Sequence, residues 1–465
     1  MHHQTPGSFR PRIHFTPPQN WSNDPNGLYY DRGQWHLFYQ HYPEAPVWGP
    51  MHWGHAVSQD LLHWRHLPVA LYPDELGYIF SGSAVLDRNN NSGFASPVLT
   101  PEAADKTPLV AMYTSHNPVT HLEEQSLAYS LDGGLHFEKY YGNPVIKNPG
   151  LQDFRDPKVF WYQPEQCFVM VLAAGDRAYF YRSHDLKQWE KTGEFGPGVN
   201  QVEAVWECTD LIKLTAPDGE DRWALLVSMS KSVSSPTARI QYFVGSFDGR
   251  AFHSSQTQTE PMWLDFGYDN YAGVSFNHYQ PPLFIGWAVN PEYAAKVPTG
   301  DYAGMMTLAR RLALLNTAQG YRLSQQPVGL DHLRAASWPV EQAGALMGAG
   351  GFGLIIKGSQ GQVILSNSDG QYLTVTITPQ WLELDRSQAG ATDFSAAFAS
   401  QRLSVARVAR YPDCQSDLEL IFDVSLLELY ADRGLAVATL VMYPDSPFDH
   451  LQLSGDLSAR QYQLA

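Results

Sequence analysis

"SQDLLHW" (residues 58–64) is the first copy of a pattern that decides the fold. Each copy has Ser-x-Asp, a turn, and an aromatic residue six or seven positions after the Ser. The other copies are "SLDGGLHF" (130–137), "SHDLKQW" (183–189) and "SFDGRAF" (246–252). Short apolar segments alternate with Gly, Pro and Asn turns between them. The Asp residues are spaced by 72, 53 and 63 positions. Units of this length with about four strands predict an all-β fold built from β-propeller blades. A flat solenoid of stacked strands is the competing architecture, and the long, uneven spacing favours the propeller.

One unusual polar residue precedes each Ser-x-Asp mark in a segment that reads as a strand. These residues are Asp24, Ser81, Asp156 and Glu207. The first strand of every propeller blade lines the central axis, so equivalent positions converge at one end of the channel. The sequence therefore predicts that three acids, far apart along the chain, meet in one pocket.

The first of these acids lies in "WSNDPNGLYY" (21–30), which allows two interpretations. Asn, Asp, Pro and Gly are turn formers, so the local pattern favours a surface turn leading into a strand at Leu28–Tyr30. The alternative is a carboxylate held rigidly at a strand edge for chemistry. In that case Asn23 and Asn26 are the expected donors that keep Asp24 ionised. The repeat-equivalent position of Asp24 favours the second interpretation.

The chain changes character after about residue 325. A short helix is expected around 329–335, followed by alternating or apolar segments separated by turns, which is typical of a β-sandwich. We see no clustered acids or His in this part and assign it no chemistry. The predicted organisation is a catalytic propeller over residues 1–327, a linker over 328–336 and a β-sandwich over 337–465.

The composition narrows the class of ligand. Among 465 residues, 13% are aromatic, only 17% are charged, and the net charge is −16. Aromatic rings stack on the apolar faces of sugars, whereas an acidic surface repels nucleic acid and anionic lipid. A small-molecule carbohydrate partner is therefore expected, with no nucleic acid and no membrane. No stretch of about 18 apolar residues exists, so no transmembrane helix is predicted.

The first residues, "MHHQTPGSFRPRIHF", bear on the cellular location of the protein, and its three Cys residues bear on metal binding. The start has no apolar core typical of a secretory signal, so a cytoplasmic location is expected unless an export signal was removed. The Cys residues are too widely spaced for a metal signature. In "HWGH" (52–55), strand geometry sends His52 and His55 to opposite faces. No cofactor and no metal are therefore expected.

Three carboxylates in a strand-lined pocket suggest glycoside cleavage. This reaction needs one acid to protonate the leaving oxygen and one carboxylate to meet the cationic anomeric carbon. Glu207 follows an apolar pair, a setting that raises the pKa of a carboxyl group. Arg155, next to Asp156 in the chain, predicts that Asp156 stays charged.

Six motifs carry a resemblance to a known family. They are "WSNDPNG", "HLFYQ", "HWGHAVSQDLLHW", "FSGSAV", "FRDPKVF" and "WEC". In this order, over nearly the whole chain, they resemble glycoside hydrolase family 32, which includes invertases, fructan exohydrolases and levanases. The resemblance implies a five-bladed β-propeller followed by a β-sandwich, and cleavage with retention through a covalent fructosyl-enzyme. It also implies that Asp24 is the nucleophile, Glu207 the general acid/base and Asp156 the stabiliser of the transition state.

The resemblance also implies a fructose site and a range of substrates. The implied substrate-binding residues are Asn23, Gln40, Trp48, Phe80, Ser81, Arg155, Tyr271 and Trp287. Without the resemblance, core packing explains Trp48 and Trp287 equally well. The run "SGSAVLDRNNNSGF" is most similar to the levanase and exo-inulinase branch, so sucrose, fructo-oligosaccharides, inulin and levan are the expected substrates. A fructosyltransferase, a non-catalytic sugar-binding propeller, a protein-interaction propeller and a propeller arabinan hydrolase stay open as alternatives.

Overall fold

The computed structural model describes residues 9–95, 106–196, 203–232, 235, 237–256, 260–348 and 350–464. The described chain is built mainly from strands, arranged in five sheets followed by two larger ones. Its α-helices are α1 (Asp331–Ala335) and α2 (Gln401–Ser404). Short 3₁₀ segments cover 163–165, 294–296, 412–414 and 432–434. No helix in the described ranges is long and apolar enough to span a membrane.

The first five sheets follow one another along the chain, and the four main strands of each pair antiparallel. The first sheet contains β1 (Asn20–Asp31), β2 (Gln34–Tyr42), β3 (His52–Ser58) and β4 (Trp64–Leu71). The second contains β5 (Tyr78–Leu86), β6 (Leu109–His116), β7 (Glu123–Ser130) and β8 (Glu138–Lys139). The third contains β9 (Phe154–Tyr162), β10 (Cys167–Ala174), β11 (Arg177–Ser183) and β12 (Glu190–Phe195). The fourth contains β13 (Trp206–Thr215), β14 (Asp221–Met229), β15 (Arg239–Phe247) and β16 (Phe252–Ser254).

The fifth sheet is interrupted once. It contains β17 (Tyr271–Ser275) and β18 (Leu283–Trp287), after which the chain leaves for β19 (Tyr302–Ala303) and returns as β20 (Arg310–Thr317) and β21 (Gly320–Pro327). β19 pairs in parallel with β1 of the first sheet. This exchange links the last blade to the first.

The first strands of the five sheets form a closed ring. β1 packs against β5, β5 against β9, β9 against β13, and β13 against β17, which returns to β1. In a flat solenoid the first and last units would not touch. The ring therefore confirms the propeller that the repeat predicts and excludes the solenoid.

The Ser-x-Asp repeat is a turn between the third and fourth strands of a blade. In the first blade, the Ser58 hydroxyl donates to Asp60 at 3.1 Å, and the same carboxylate oxygen accepts the N–H groups of Leu62 at 2.9 Å and His63 at 2.8 Å. Asp132 and Asp185 make the same type of turn. The repeat thus recurs because each blade needs this turn, which explains why it marks blades and carries no chemistry.

The C-terminal part is a β-sandwich, as the strand pattern predicts. Its strands are β22 (Trp338–Val340), β23 (Ala343–Ala345), β24 (Gly351–Lys357), β25 (Gly361–Ser366), β26 (Tyr372–Ile377), β27 (Trp381–Gln388), β28 (Val405–Ala409), β29 (Leu418–Asp423), β30 (Leu426–Ala431), β31 (Ala436–Val441), β32 (His450–Leu453) and β33 (Ser458–Gln463). One six-stranded sheet has the order β22-β33-β24-β29-β30-β31, and the other has the order β23-β32-β25-β26-β27-β28. Apolar side chains from both sheets fill the space between them. β21 ends at Pro327 and β22 begins at Trp338, and the division at 328–336 stays a prediction.

The sandwich does contain clustered acids, contrary to the sequence prediction. Asp423 and Glu428 are fully buried where β29 and β30 face the propeller. His14 lies 2.8 Å from Asp423 and 3.4 Å from Glu428, and Arg310 lies 3.4 Å from Glu428. The sequence hides this cluster because its two acids lie on neighbouring strands and their cationic partners lie at least 100 positions away.

Candidate active site

A cavity of about 630 Å³ opens near the start of the five inner strands. Every site residue that the sequence predicts lines this one cavity: Asn23, Asp24, Gln40, Trp48, Phe80, Ser81, Arg155, Asp156, Glu207, Tyr271 and Trp287. Each inner strand contributes at least one of them. The fold brings these residues together, whereas their roles in catalysis and binding stay predictions.

The inner strands depart from regular pairing where they supply these residues. Register shifts lie between Ser22 and Pro25 in β1, between Ile79 and Gly82 in β5, and at the corresponding places in β9, β13 and β17. Asp156 itself has a φ of 67°, in the left-handed region. A bulge turns the strand locally and re-aims its side chains, here into the cavity. The segment 21–30 is therefore a bulged strand, and the surface turn expected from its local pattern is wrong.

Asp24 is held by two polar neighbours. The Ser81 hydroxyl donates to Asp24 Oδ2 at 2.5 Å, and the Asn23 amide donates to Asp24 Oδ1 at 3.0 Å. Asn26, the other expected donor, instead accepts the N–H of Gly82 at 3.2 Å. Because the strand bulges between Ser22 and Pro25, Asn26 bonds to β5, and Ser81 is the second donor to Asp24.

Asp156 is buried and differs from its prediction. It accepts the backbone N–H of Cys208 at 2.8 Å. Burial raises the pKa of Asp156 to about 8; Arg155 opposes this shift, and the charges of Asp24 and Glu207 add to it. Arg155 favours the charged form of Asp156, as the sequence predicts, but burial has the larger effect on the pKa. The hydrogen bonds of the Arg155 guanidinium go to other carboxylates.

Glu207 has a raised pKa, in the direction that the sequence predicts. Burial is the largest cause, and the positive charge of Arg155 and a hydrogen bond from Tyr271 oppose it. The Tyr271 hydroxyl donates to Glu207 Oε2, and Arg155 Nε lies 3.4 Å from Oε1. The Glu207 side chain is 27% exposed, so it contacts the cavity.

Several cavity residues were missed by the sequence analysis. They are Trp21, His116, His121, Glu123, Gln152, Asp153, Cys208, Pro291 and Ala295. Cys208 belongs to the quoted "WEC" motif and could have been found there. Glu123 begins the third strand of its blade and is part of no recognised motif. It binds Arg155 Nη1 through both carboxylate oxygens, at 2.7 and 2.8 Å.

Aromatic rings form the walls of the cavity. Trp48 is 52% exposed, which rules out simple core packing for this residue. Phe80 stacks on His116 with ring centroids 4.3 Å apart. Trp287 is only 4% exposed and packs edge-to-face against Trp21, so it serves both the core and the cavity. Ring faces beside carboxylates and amides suit a carbohydrate.

The described residues give no metal site. No group of three His, Cys, Asp or Glu in these ranges is arranged to hold a metal ion. His55 is buried and stacks on Phe38 at 4.0 Å, whereas His52 bonds to the carbonyl of Pro50. The "HWGH" pair is thus divided between packing and a local backbone contact.

Solved structures resemble the whole chain. An exo-inulinase from Aspergillus awamori superimposes with a TM-score of 0.87 and 31% identity, covering 100% of this chain and 99% of that one. A β-fructofuranosidase from Schwanniomyces occidentalis complexed with fructosyl-erythritol gives a TM-score of 0.84 and 27% identity over 99% and 98%.

Sequence comparisons lead to the same group. A levanase from Bacillus subtilis is 41% identical over 471 residues, which cover 96% of this chain and 68% of the levanase. The family models for the N-terminal and C-terminal domains of glycosyl hydrolases family 32 match residues 14–327 and 316–462. Together the two matches span nearly the whole chain. The chain therefore belongs to glycosyl hydrolase family 32.

Proposed function

We propose that this enzyme hydrolyses terminal non-reducing β-D-fructofuranosyl units from sucrose, fructo-oligosaccharides, inulin and levan. The observation that carries the proposal is the arrangement of the carboxylates around one cavity. Asp24 is held by Ser81 and Asn23, whereas Glu207 is partly buried and has a raised pKa. A glycosidase needs this division between a fixed nucleophile and a protonated acid.

In the first step, Asp24 attacks C2 of the fructosyl unit. The bonds from Ser81 and Asn23 fix its orientation, so little reorganisation is needed at the moment of attack. Glu207 donates its proton to the glycosidic oxygen as the C2–O bond breaks. The products are a covalent fructosyl-enzyme and the released alcohol.

In the second step, Glu207 is ionised and takes a proton from water. The resulting hydroxide attacks C2, the bond to Asp24 breaks, and fructose leaves with retained configuration. Asp156 is a buried residue of the cavity lining, and its role in the proposal is to bind hydroxyls of the fructose ring. Positive charge on the sugar in the transition state favours the ionised form of Asp156. Retention further predicts that the carboxyl groups of Asp24 and Glu207 lie about 5–5.5 Å apart.

The range of substrates follows from the relatives and from the cavity. The similar proteins are named levanase, exo-inulinase and β-fructofuranosidase. A cavity of about 630 Å³ is of the size that binds small molecules, and its aromatic walls suit the apolar faces of a sugar. The proposal is therefore exo-action on fructosyl ends, with no cofactor.

The test is Asp24→Asn with chromatography of the products from sucrose, kestose, inulin and levan. We expect fructose release by the native enzyme and a fall on the order of 10³-fold or more in the variant. Asp31→Asn is the matched control, because Asp31 ends the same strand and pairs with Arg32 on the surface. Normal turnover by Asp24→Asn would contradict the assignment of the nucleophile. Longer fructans as main products would indicate a fructosyltransferase, and no turnover at all a sugar-binding protein.

A further inference from the structure

Glu123 connects two blades next to Arg155, the cation closest to the proposed proton donor. It is 3% exposed and belongs to β7 in the second blade. Its carboxylate binds Arg155 Nη1 at 2.7 and 2.8 Å and accepts the backbone N–H of Phe154 at 2.8 Å, and both of these residues begin β9 in the third blade. His116 Nδ1 lies 3.4 Å away from the same carboxylate. The side chain is thus fixed from three directions.

Each nitrogen of the Arg155 guanidinium has its own carboxylate. Nη1 binds Glu123, and Nη2 binds Asp153 at 2.7 Å. Only Nε is directed to Glu207, at the longer distance of 3.4 Å. An arginine free to turn would make two short bonds to one carboxylate, which is the preferred geometry of such pairs. Glu123 and Asp153 prevent this arrangement with Glu207.

The distance between Arg155 and Glu207 matters for the chemistry. A cation close to a carboxylate stabilises its ionised form, and the effect grows as the distance falls. A bidentate Arg155 would keep Glu207 ionised and remove the proton that the first step requires. The other groups that face Glu207 or Arg155 are Tyr271, Asp24, Asp156 and Cys208.

We propose that Glu123 is a positioning residue, which holds Arg155 away from Glu207 and so extends the pH range in which the enzyme works. This inference rests on the proposed role of Glu207 as proton donor. Glu123 acts through its two hydrogen bonds with Arg155. Its proposed effect is on the pH dependence of kcat/KM.

The test is the pH profile of kcat/KM for sucrose with Glu123→Gln. The substitution removes one negative charge and one of the two bonds that hold Arg155, so Arg155 moves closer to Glu207. We expect the alkaline limb of the profile to move to lower pH by about half to one unit. Asp153→Asn is the second variant, because Asp153 is more exposed and its replacement is easier to accommodate. Asp153→Asn should also move the alkaline limb to lower pH, but by a smaller amount than Glu123→Gln.

Glu124→Gln is the matched control. Glu124 follows Glu123 in β7, is not among the carboxylates that Arg155 binds, and accepts the backbone N–H of Asn148 at 3.4 Å. Its profile should match that of the native enzyme. A uniform loss of activity at every pH in Glu123→Gln, or a limb that moves to higher pH, would overturn the inference. If the native enzyme releases no fructose, the proposed function fails instead, and the two failures are thereby distinguished.

Discussion

At the scale of single residues, the neighbours of Glu207 have opposing effects on its pKa. Burial raises its pKa, while the Tyr271 hydroxyl and the Arg155 cation stabilise its ionised form. The proposed first step uses the protonated form, and the second step uses the ionised form. The neighbours of this one carboxyl group therefore set the pH at which both steps proceed.

Tyr271→Phe tests this balance. The substitution removes the hydroxyl that donates to ionised Glu207, so the pKa of Glu207 should rise further. We expect the alkaline limb of kcat/KM to move to higher pH, the opposite of the direction expected for Glu123→Gln. Tyr302→Phe is the control, because its hydroxyl bonds to the carbonyl of Phe9 in the core. A limb that stays in place or moves to lower pH would refute this account of Glu207.

The sequence predicts which residues meet but not how they are paired. Asp24, Asp156 and Glu207 could be found because they occupy equivalent positions in successive repeats. The partner of Arg155 could not be found, because Glu123 comes from another blade and no local pattern marks it. The adjacent positions of Arg155 and Asp156 predict an ion pair, but the hydrogen bonds of Arg155 go to Glu123, Asp153 and Glu207 instead.

At the scale of elements, the bulges of the inner strands decide the geometry of the site. The Ser-x-Asp pattern could identify the blades because an Asp side chain that accepts two backbone N–H groups needs a fixed local sequence. The bulges have no such signature. In "WSNDPNG" the same residues that predict a turn occupy a strand, since pairing with β2 and the neighbouring blades outweighs their local preference.

Gly82→Ala tests the bulge in β5. A Cβ at this position would lie 2.0 Å from the backbone carbonyl oxygen of Met112, and backbone cannot move aside cheaply. We expect the free energy of unfolding to fall by about 2 kcal/mol or more, measured by chemical denaturation. Fructose release should also fall several-fold, because Ser81 is displaced from Asp24. In the control Gly344→Ala, the nearest atom lies 4.0 Å away and both quantities should be unchanged. Native-like values for Gly82→Ala would show that the strand relaxes freely here.

At the scale of the whole molecule, buried ion pairs join the propeller to the sandwich. Arg386 of the sandwich lies 2.6 Å from Asp269 of the propeller, and Arg310 of the propeller lies 3.4 Å from Glu428 of the sandwich. Breaking one member of a buried pair leaves an uncompensated charge, so such contacts couple the two parts strongly. The strand pattern could predict each part separately but not this contact, since its members are scattered along the chain.

His14→Gln tests the coupling through its dependence on pH. Burial disfavours the charged imidazole, but the bonds with Asp423 and Glu428 outweigh it and raise the pKa of His14 to about 9. Because the pKa is higher in the folded state than its ordinary value of 6.5, His14 stabilises the protein fully below pH 6.5 and progressively less up to pH 9. We compare the free energy of unfolding of the native protein with that of the variant. The advantage of the native protein should be about 3 kcal/mol larger at pH 6 than at pH 10. Chemical denaturation at both pH values measures this difference. The control His63→Gln replaces a histidine whose ion pair with Asp60 is exposed to solvent, so the variant should differ little from the native protein at either pH. An equal loss at pH 6 and pH 10 in His14→Gln would mean that packing alone, without the charge, holds the two parts together.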